Sequence, residues 1–165
     1  MLFERLKATT SPYHQRLEGE PLSRSLLAPT ATLNDYVYIL QTNLGFYAPL
    51  EDRLGKACDW AALDFNYEQR RKTPLIEQDL RVLGGGDTAL LYAPECNRLP
   101  PIGSVAAALG ALYVLEGATL GGQLIARHIA MRRKLHPQNG CAFYNSYGDQ
   151  VGRSGRRLEL LCRSK

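Results

Sequence analysis

His14 and two charged residues near it form the part of this sequence best suited to chemistry. Glu18 follows His14 by four residues and Lys7 precedes it by seven, so all three share one helix face if residues 2–18 are helical. A neutral imidazole is the commonest metal ligand among side chains, and its second nitrogen needs an orienting partner such as a carboxylate. A lysine on the same face could meet a ligand carboxylate. A His followed by Glu at this spacing is common by chance, so the pair alone leaves a metal site open.

The other metal-binding residue types give weaker signals. His128 falls inside the longest apolar stretch and is predicted to be a packing or surface residue, whereas His136 lies in a predicted loop. Four scattered cysteines form no Cys-x-x-Cys pair, which argues against a metal cluster or a redox dithiol and is typical of a reducing cytosol. They are Cys58, Cys96, Cys141 and Cys162.

Glycines interrupt the longest regular stretch, which runs from residue 103 to residue 135. They occupy positions 110, 117, 121 and 122, and each costs about 1 kcal/mol relative to alanine inside a helix. Gly117 and Gly121 share one face, where something flat could approach the backbone, and the pair at 121–122 permits a kink. Close helix–helix packing would use the same small face, and the alanines at 106–108 favour it. The pattern leaves both interpretations open.

Helices are the elements that would position these residues. Apolar residues at helical spacing predict a first helix through about Glu18, with Pro12 either bending it or starting a second helix. A start signal at 32–35 predicts an amphipathic helix up to about Pro49, resuming beyond it. Thr73 opens a helix that stops at Gly84, and residues 103–135 form one long helix. Strand-like alternation is absent, so the predicted fold class is all-α.

Composition limits the classes of protein that remain. The chain has 165 residues, 45% of them apolar and 22% charged, which predicts a single domain over 1–165. The net charge of +4 and the single short basic run at 132–134 argue against nucleic-acid binding. We identify no signal peptide and no run of about 18 apolar residues, so we expect a cytoplasmic protein without a membrane span.

Four segments resemble one known family. Residues 7–18 (KATTSPYHQRLE) resemble the proximal-helix signature of heme oxygenases, and residues 47–51 (YAPLE) resemble the family's second-helix segment. Residues 113–128 (YVLEGATLGGQLIARH) are very similar to the distal helix of the biliverdin-producing enzymes found with bacteriophytochromes. Residues 143–148 resemble the aromatic and glycine segment that follows. The match keeps its order and spacing from about residue 2 to residue 150.

The resemblance implies a single helical bundle with heme between the first helix and a kinked long helix. His14 would be the proximal iron ligand, Glu18 would support it, and Lys7 would pair with a heme propionate. O₂ and electrons from an external, ferredoxin-like protein would convert heme to biliverdin, CO and ferrous iron for a bacteriophytochrome. The implied cofactor-binding residues are His14, Lys7, Glu18, Thr10, Gly117, Leu120, Gly121, Gly122 and Tyr147, and the catalytic positions are Gly117, Thr119 and Gly121.

Electron transfer would need a partner because the sequence carries no flavin or iron–sulfur motif. The basic residues near the end of the long helix could steer an acidic ferredoxin to it. They are Arg127, Arg132, Arg133 and Lys134. A solvent-exposed helix end would show the same charges.

Two features depart from the family pattern. Many heme oxygenases carry a distal aspartate where this chain has Ala118, and Thr119 is the nearest polar substitute. The C-terminal residues 151–165 (VGRSGRRLELLCRSK) replace the usual final helices. These departures motivate a second hypothesis, a protein that binds heme or a bilin without turnover. A third is a structural interaction domain whose glycines serve helix packing.

Overall fold

The computed structural model describes residues 2–148, with side chains from residue 4 onward. These residues contain no strand, which confirms the all-α prediction. Two single-turn 3-10 helices, Ala61–Leu63 and Glu68–Arg70, connect the third and fourth α-helices. The α-helices are α1 (Leu2–Gly19), α2 (Pro21–Leu27), α3 (Leu33–Gly55), α4 (Thr73–Leu83), α5 (Thr88–Leu91), α6 (Val105–Arg133) and α7 (Ala142–Asn145).

The core is built around α3 and α4, which pack against each other, while α7 bridges α4 and α6. The large apolar side chains that are most completely buried come from α3, α4 and α6. They are Leu40, Leu54, Ile76, Leu80 and Leu112. At about 25 cal/mol per Å² of apolar surface removed from water, such side chains supply most of the driving force for folding.

Helix α3 begins at a capping box and continues past a proline. The Thr32 hydroxyl accepts the Asp35 N–H at 3.1 Å, and the Asp35 carboxylate accepts the Thr32 N–H at 2.7 Å. Pro49 has no N–H to donate to the carbonyl of Gly45, one turn earlier. The Cys96 N–H donates to that carbonyl instead, at 2.9 Å. The helix runs to Gly55 without interruption, so the segment beyond Pro49 is helical as the sequence suggested.

Gly45 makes this replacement possible. Residues 93–97 cross α3 so closely that a Cβ at position 45 would lie 1.8 Å from the Pro94 carbonyl oxygen. Only glycine allows the two backbones to approach this far.

Helix α1 is a single helix through Pro12, so the proline does not start a second one. It packs against α2. None of its side chains between residues 4 and 19 is buried. Helix α1 thus lies outside the hydrophobic core, although it carries apolar residues.

Helix α6 is one 29-residue helix with no break at its glycines, as the sequence predicts. Its N-terminus is capped by Ser104, whose hydroxyl accepts the Ala107 N–H at 3.1 Å. Among the described residues, α6 alone is long and apolar enough to cross a membrane, a test that the central helix of a folded core also passes. It packs here against α2 and α7.

Candidate functional site

One side of α6 carries an apolar surface that no other helix within residues 2–148 covers. Leu120 and Leu124 are 65% and 64% exposed, and Val114 is also exposed. Between them lie Gly117 and Gly121, where an added Cβ would meet no atom within 4 Å. These two glycines therefore do not serve helix packing within residues 2–148. We call the surface formed by residues 114, 117, 118, 120, 121 and 124 the open face of α6.

Helix α1 presents a second uncovered surface, which carries His14. The imidazole is 65% exposed, and its Nδ1 lies 3.4 Å from a carboxylate oxygen of Glu18, one turn later. That contact orients the ring and leaves Nε2 as the nitrogen for a metal. Tyr13, which directly precedes His14, and Leu17, three residues after it, have exposed apolar side chains. The predicted His14–Glu18 pair is therefore present in the structure.

A single histidine ligand such as His14 suits a metal ion whose other ligands belong to a bound molecule. Within residues 4–148, no group of three His, Cys, Asp or Glu side chains lies close enough to hold an ion. A single imidazole suffices only when another molecule fills the remaining positions, as a porphyrin does for iron. A flat apolar porphyrin also matches two uncovered apolar faces, one of which has glycines at its centre. The residues present thus fit heme.

The opposite side of α6 is held by a buried charged cluster. The Glu116 carboxylate accepts hydrogen bonds from the Tyr147 hydroxyl at 2.6 Å and from Arg70 Nη1 at 3.2 Å, and Lys72 Nζ lies 3.7 Å away. Lys72 Nζ also lies 3.6 Å from the centre of the Tyr147 ring. Burial lowers the pKa of Lys72 to about 8, although Glu116 and Glu51 oppose the shift. We call Arg70, Lys72, Glu116 and Tyr147 the Glu116 cluster.

Glu51 extends this cluster to α3 and anchors the start of α4. Its fully buried carboxylate accepts the backbone N–H groups of Lys72 at 2.5 Å and Thr73 at 3.1 Å. These donors lie at the N-terminus of α4, where the helix leaves N–H groups without internal partners. Glu51, the last residue of the resembling segment 47–51, therefore holds the backbone of Lys72 in place.

Comparison with known proteins identifies the family. The family model described as heme oxygenase matches residues 1–154. The chain belongs to the heme oxygenase family. It is 35% identical over 129 residues to a heme oxygenase from Xanthomonas campestris pv. campestris (strain 8004), a match that covers 76% of this chain and 70% of the relative. No solved structure matches the chain.

Membership of the family establishes the activity of this heme oxygenase in general terms. It is an oxidoreductase that binds heme, uses O₂ and degrades heme. The fold agrees, since the two uncovered faces belong to the first helix and to the long glycine-bearing helix, as the resemblance implies.

Several predicted site residues lie on these two faces. On α1, His14, Glu18 and Lys7 are exposed, while the Thr10 hydroxyl donates to the Leu6 carbonyl at 2.8 Å within its own helix. On α6, Gly117, Leu120 and Gly121 belong to the open face. Ala118, where many heme oxygenases carry aspartate, is exposed there too.

Three predicted site residues are placed elsewhere by the structure. Gly122 is buried, and an added Cβ would lie 3.0 Å from the Tyr144 carbonyl oxygen, so it packs against α7. Thr119 is buried, and its hydroxyl donates to the Glu116 carbonyl at 2.6 Å. The Tyr147 hydroxyl donates to the Glu116 carboxylate. Gly122 and Thr119 face away from the open face because one residue along a helix turns the side chain by about 100°.

The basic end of α6 is only partly available for a partner. Arg127, Arg132 and Lys134 are not buried, whereas Arg133 donates to the Ala31 carbonyl and is half-buried. His128 is half-buried and lines a cavity of about 170 Å³ between α2, α3 and α6. The predicted packing role fits this position.

Sequence reasoning missed the buried charges Glu116, Arg70 and Lys72. A signal was present for Glu116, which is the one acidic residue of α6 and stands in a strongly apolar stretch. An ionisable side chain at a core position needs partners of opposite charge. The sequence does not show where those partners come from, because Arg70 and Lys72 are over 40 residues away.

Proposed function

We propose that this heme oxygenase opens heme to biliverdin, CO and ferrous iron, using O₂ and electrons from an external protein. The observation that carries the proposal is the pair of uncovered apolar faces, one bearing His14 and the other bearing Gly117 and Gly121. Heme placed between them would bury both faces and would meet one imidazole and one bare helix backbone.

In this arrangement His14 Nε2 would bind the heme iron, with Glu18 holding the ring through Nδ1. The open face would approach the other side of the porphyrin and restrict where O₂ can lie. The open face carries no carboxylate. We therefore propose that ordered water, for which Gly117 and Ala118 leave room, hydrogen-bonds the oxygen and delivers protons.

An acidic, ferredoxin-like protein is the proposed electron donor. The basic residues Arg127, Arg132 and Lys134 at the end of α6 would steer it to the heme oxygenase. A cytoplasmic location fits this partner, and a bacteriophytochrome is the proposed recipient of the bilin, on the strength of the resemblance of residues 113–128.

Heme titration followed by turnover tests this function. The wild type is expected to bind one heme with a Soret band and to yield biliverdin when ferredoxin and its reductase, or ascorbate, are supplied with O₂. His14→Ala is expected to lose or shift that band, whereas His136→Ala, which removes a loop histidine away from both faces, leaves it unchanged. A His14→Ala variant with an unchanged Soret band and normal biliverdin yield would contradict the proposed role of His14.

A second candidate function is binding of heme or a bilin without turnover. The absence of a carboxylate from the open face favours it. This candidate predicts a normal Soret band in the ferric complex and, under reductant and O₂, retained heme with no absorption from verdoheme or biliverdin. Biliverdin formation by the wild type rejects it.

A further inference from the structure

Among residues 4–148, the Glu116 cluster is the largest buried charged group that the proposed chemistry does not use. Glu116 directly precedes Gly117 but lies on the buried side of α6, with its side chain only 4% exposed. Its charged partners are also buried, since the side chains of Arg70 and Lys72 are 8% and 3% exposed. Two carboxylates and two cations, counting Glu51, are therefore removed from water together.

Such a cluster is better suited to fixing an orientation than to adding stability. Burying an ion pair costs about as much desolvation energy as the pair recovers, and an apolar replacement is often equally stable. A group of charges with directional bonds does, however, select one arrangement of its elements. The three partners of Glu116 come from three segments: the end of a 3-10 helix, the start of α4 and the residues after α7.

Helix α6 needs an orienting contact at this point. Gly117 and Gly121 face open space, so contacts on the buried side of α6 set the direction in which they face. Two turns after Glu116 and on the same side, Gln123 donates to the Asn145 carbonyl at 2.7 Å. Gly122 packs against the Tyr144 backbone. Contacts to residues 144–147 thus hold the stretch that carries the open face.

The residues that directly precede 144–147 are fixed to the core. The Asp79 carboxylate accepts the N–H groups of Ala142 at 2.7 Å and Phe143 at 2.9 Å, and the Tyr36 hydroxyl donates to the Gly140 carbonyl at 3.0 Å. A continuous set of contacts therefore runs from α3 and α4, through residues 140–147, to α6.

We propose that Glu116 is a positioning residue whose buried partners fix the rotation of α6, and with it the direction in which Gly117 and Gly121 face heme. This inference rests on the proposed function, because it takes the open face as the heme-binding surface. Tyr147 acts through Glu116, so its part is also positioning. A rotation by a fraction of one residue step would replace a glycine by the side chain of Ala118 or Leu120 opposite the porphyrin.

Tyr147→Phe is the sharpest test, because it removes one hydroxyl and keeps the ring beside Lys72. Tyr67→Phe is the matched control. It removes a buried hydrogen bond of similar length, from the Tyr67 hydroxyl to the Glu51 carbonyl at 2.7 Å, and this bond does not involve α6. In the heme-free proteins, Tyr147→Phe is expected to speed amide exchange of residues 116–124 about tenfold or more, the factor that a hydrogen bond to a charged carboxylate contributes. Tyr67→Phe is expected to leave that stretch unchanged.

In the heme complexes, Tyr147→Phe is expected to keep the Soret band and to change the absorption spectrum of the ferric complex and the proportions of biliverdin isomers. Glu116→Gln is expected to change both further. Tyr67→Phe is expected to match the wild type. Identical exchange, spectra and isomer proportions in Tyr147→Phe and Tyr67→Phe would overturn the inference alone. A wild type that binds no heme would instead overturn the proposed function, and this inference with it.

Discussion

Asp79 shows how much one buried carboxylate can hold together. It is fully buried on α4, and its two oxygens accept the first N–H groups of α7, from Ala142 and Phe143. Those donors lie at a helix N-terminus, where a negative charge is favourable. Burial nevertheless raises the pKa of Asp79 to about 6, because the two hydrogen bonds only partly offset the loss of solvation.

We therefore predict that Asp79 makes stability depend on pH between about 4 and 7. The pKa of Asp79 in the folded protein lies above the ordinary value of 3.8. Its contribution to the free energy of unfolding is therefore complete below about pH 4 and is lost as pH rises through about 6. The free energy of unfolding of the wild type minus that of Asp79→Asn should fall by about 3 kcal/mol over this range, because a tenfold change in proton affinity corresponds to about 1.4 kcal/mol. Urea unfolding of both proteins followed by circular dichroism measures the difference. A difference that stays constant with pH would contradict the prediction.

Helix α6 has two sides with different tasks, although both contain glycine. Gly121 faces open space, whereas Gly122, the next residue, contacts the Tyr144 backbone. The sequence shows two adjacent and equivalent glycines. Only the packing of α7 against α6 distinguishes the open position from the packed one.

A matched pair of alanine substitutions tests this division. Gly121→Ala should raise the melting temperature of the heme-free protein, because alanine is favoured over glycine in a helix by about 1 kcal/mol. It should also weaken heme binding about tenfold, since overpacking costs roughly 1–3 kcal/mol.

Gly122→Ala should show no such stabilisation, since its Cβ would lie 3.0 Å from a carbonyl oxygen. Thermal melts and Soret titrations measure both effects. An equal rise of the melting temperature in the two variants would show that the two positions are not distinct.

At the scale of the whole molecule, α1 is the helix with the least support from the core among those that the structure describes. None of its side chains between residues 4 and 19 is buried. Its main packing partner is the neighbouring helix α2. A helix with few buried apolar contacts opens more easily than the core helices. Under the proposed function, heme bound to His14 would also contact α6 and would connect the two helices.

We accordingly predict that heme stabilises the protein and protects α1 in particular. Ligand at about 100 times its dissociation constant adds about 2.7 kcal/mol to the free energy of unfolding. Amide exchange of residues 5–19 should slow on addition of heme because opening of α1 would release heme, and exchange of the buried helix α4 should slow as well because its amides exchange mainly through unfolding of the whole protein. Hydrogen-exchange mass spectrometry with and without heme measures both. Equal protection of α1 in the two states would mean that heme does not bridge the helices.

The sequence by itself determined the fold class and the main helix boundaries. Thr32 and Gly84 mark helix ends because a cap or a glycine acts within one turn of the backbone. Local spacing also placed His14 beside Glu18, and motif order identified the family. These features depend on residues that are close along the chain.

The tertiary structure decided what distant segments contribute. The Gly45 carbonyl that Pro49 leaves without a partner in α3 accepts the N–H of Cys96, nearly 50 residues later. Glu116 has buried partners because α4 and the residues after α7 meet α6 there. Gly121 is open and Gly122 is packed for the same reason. A helix turns by about 100° per residue, so the side it buries depends on which elements pack against it, and local sequence does not specify them.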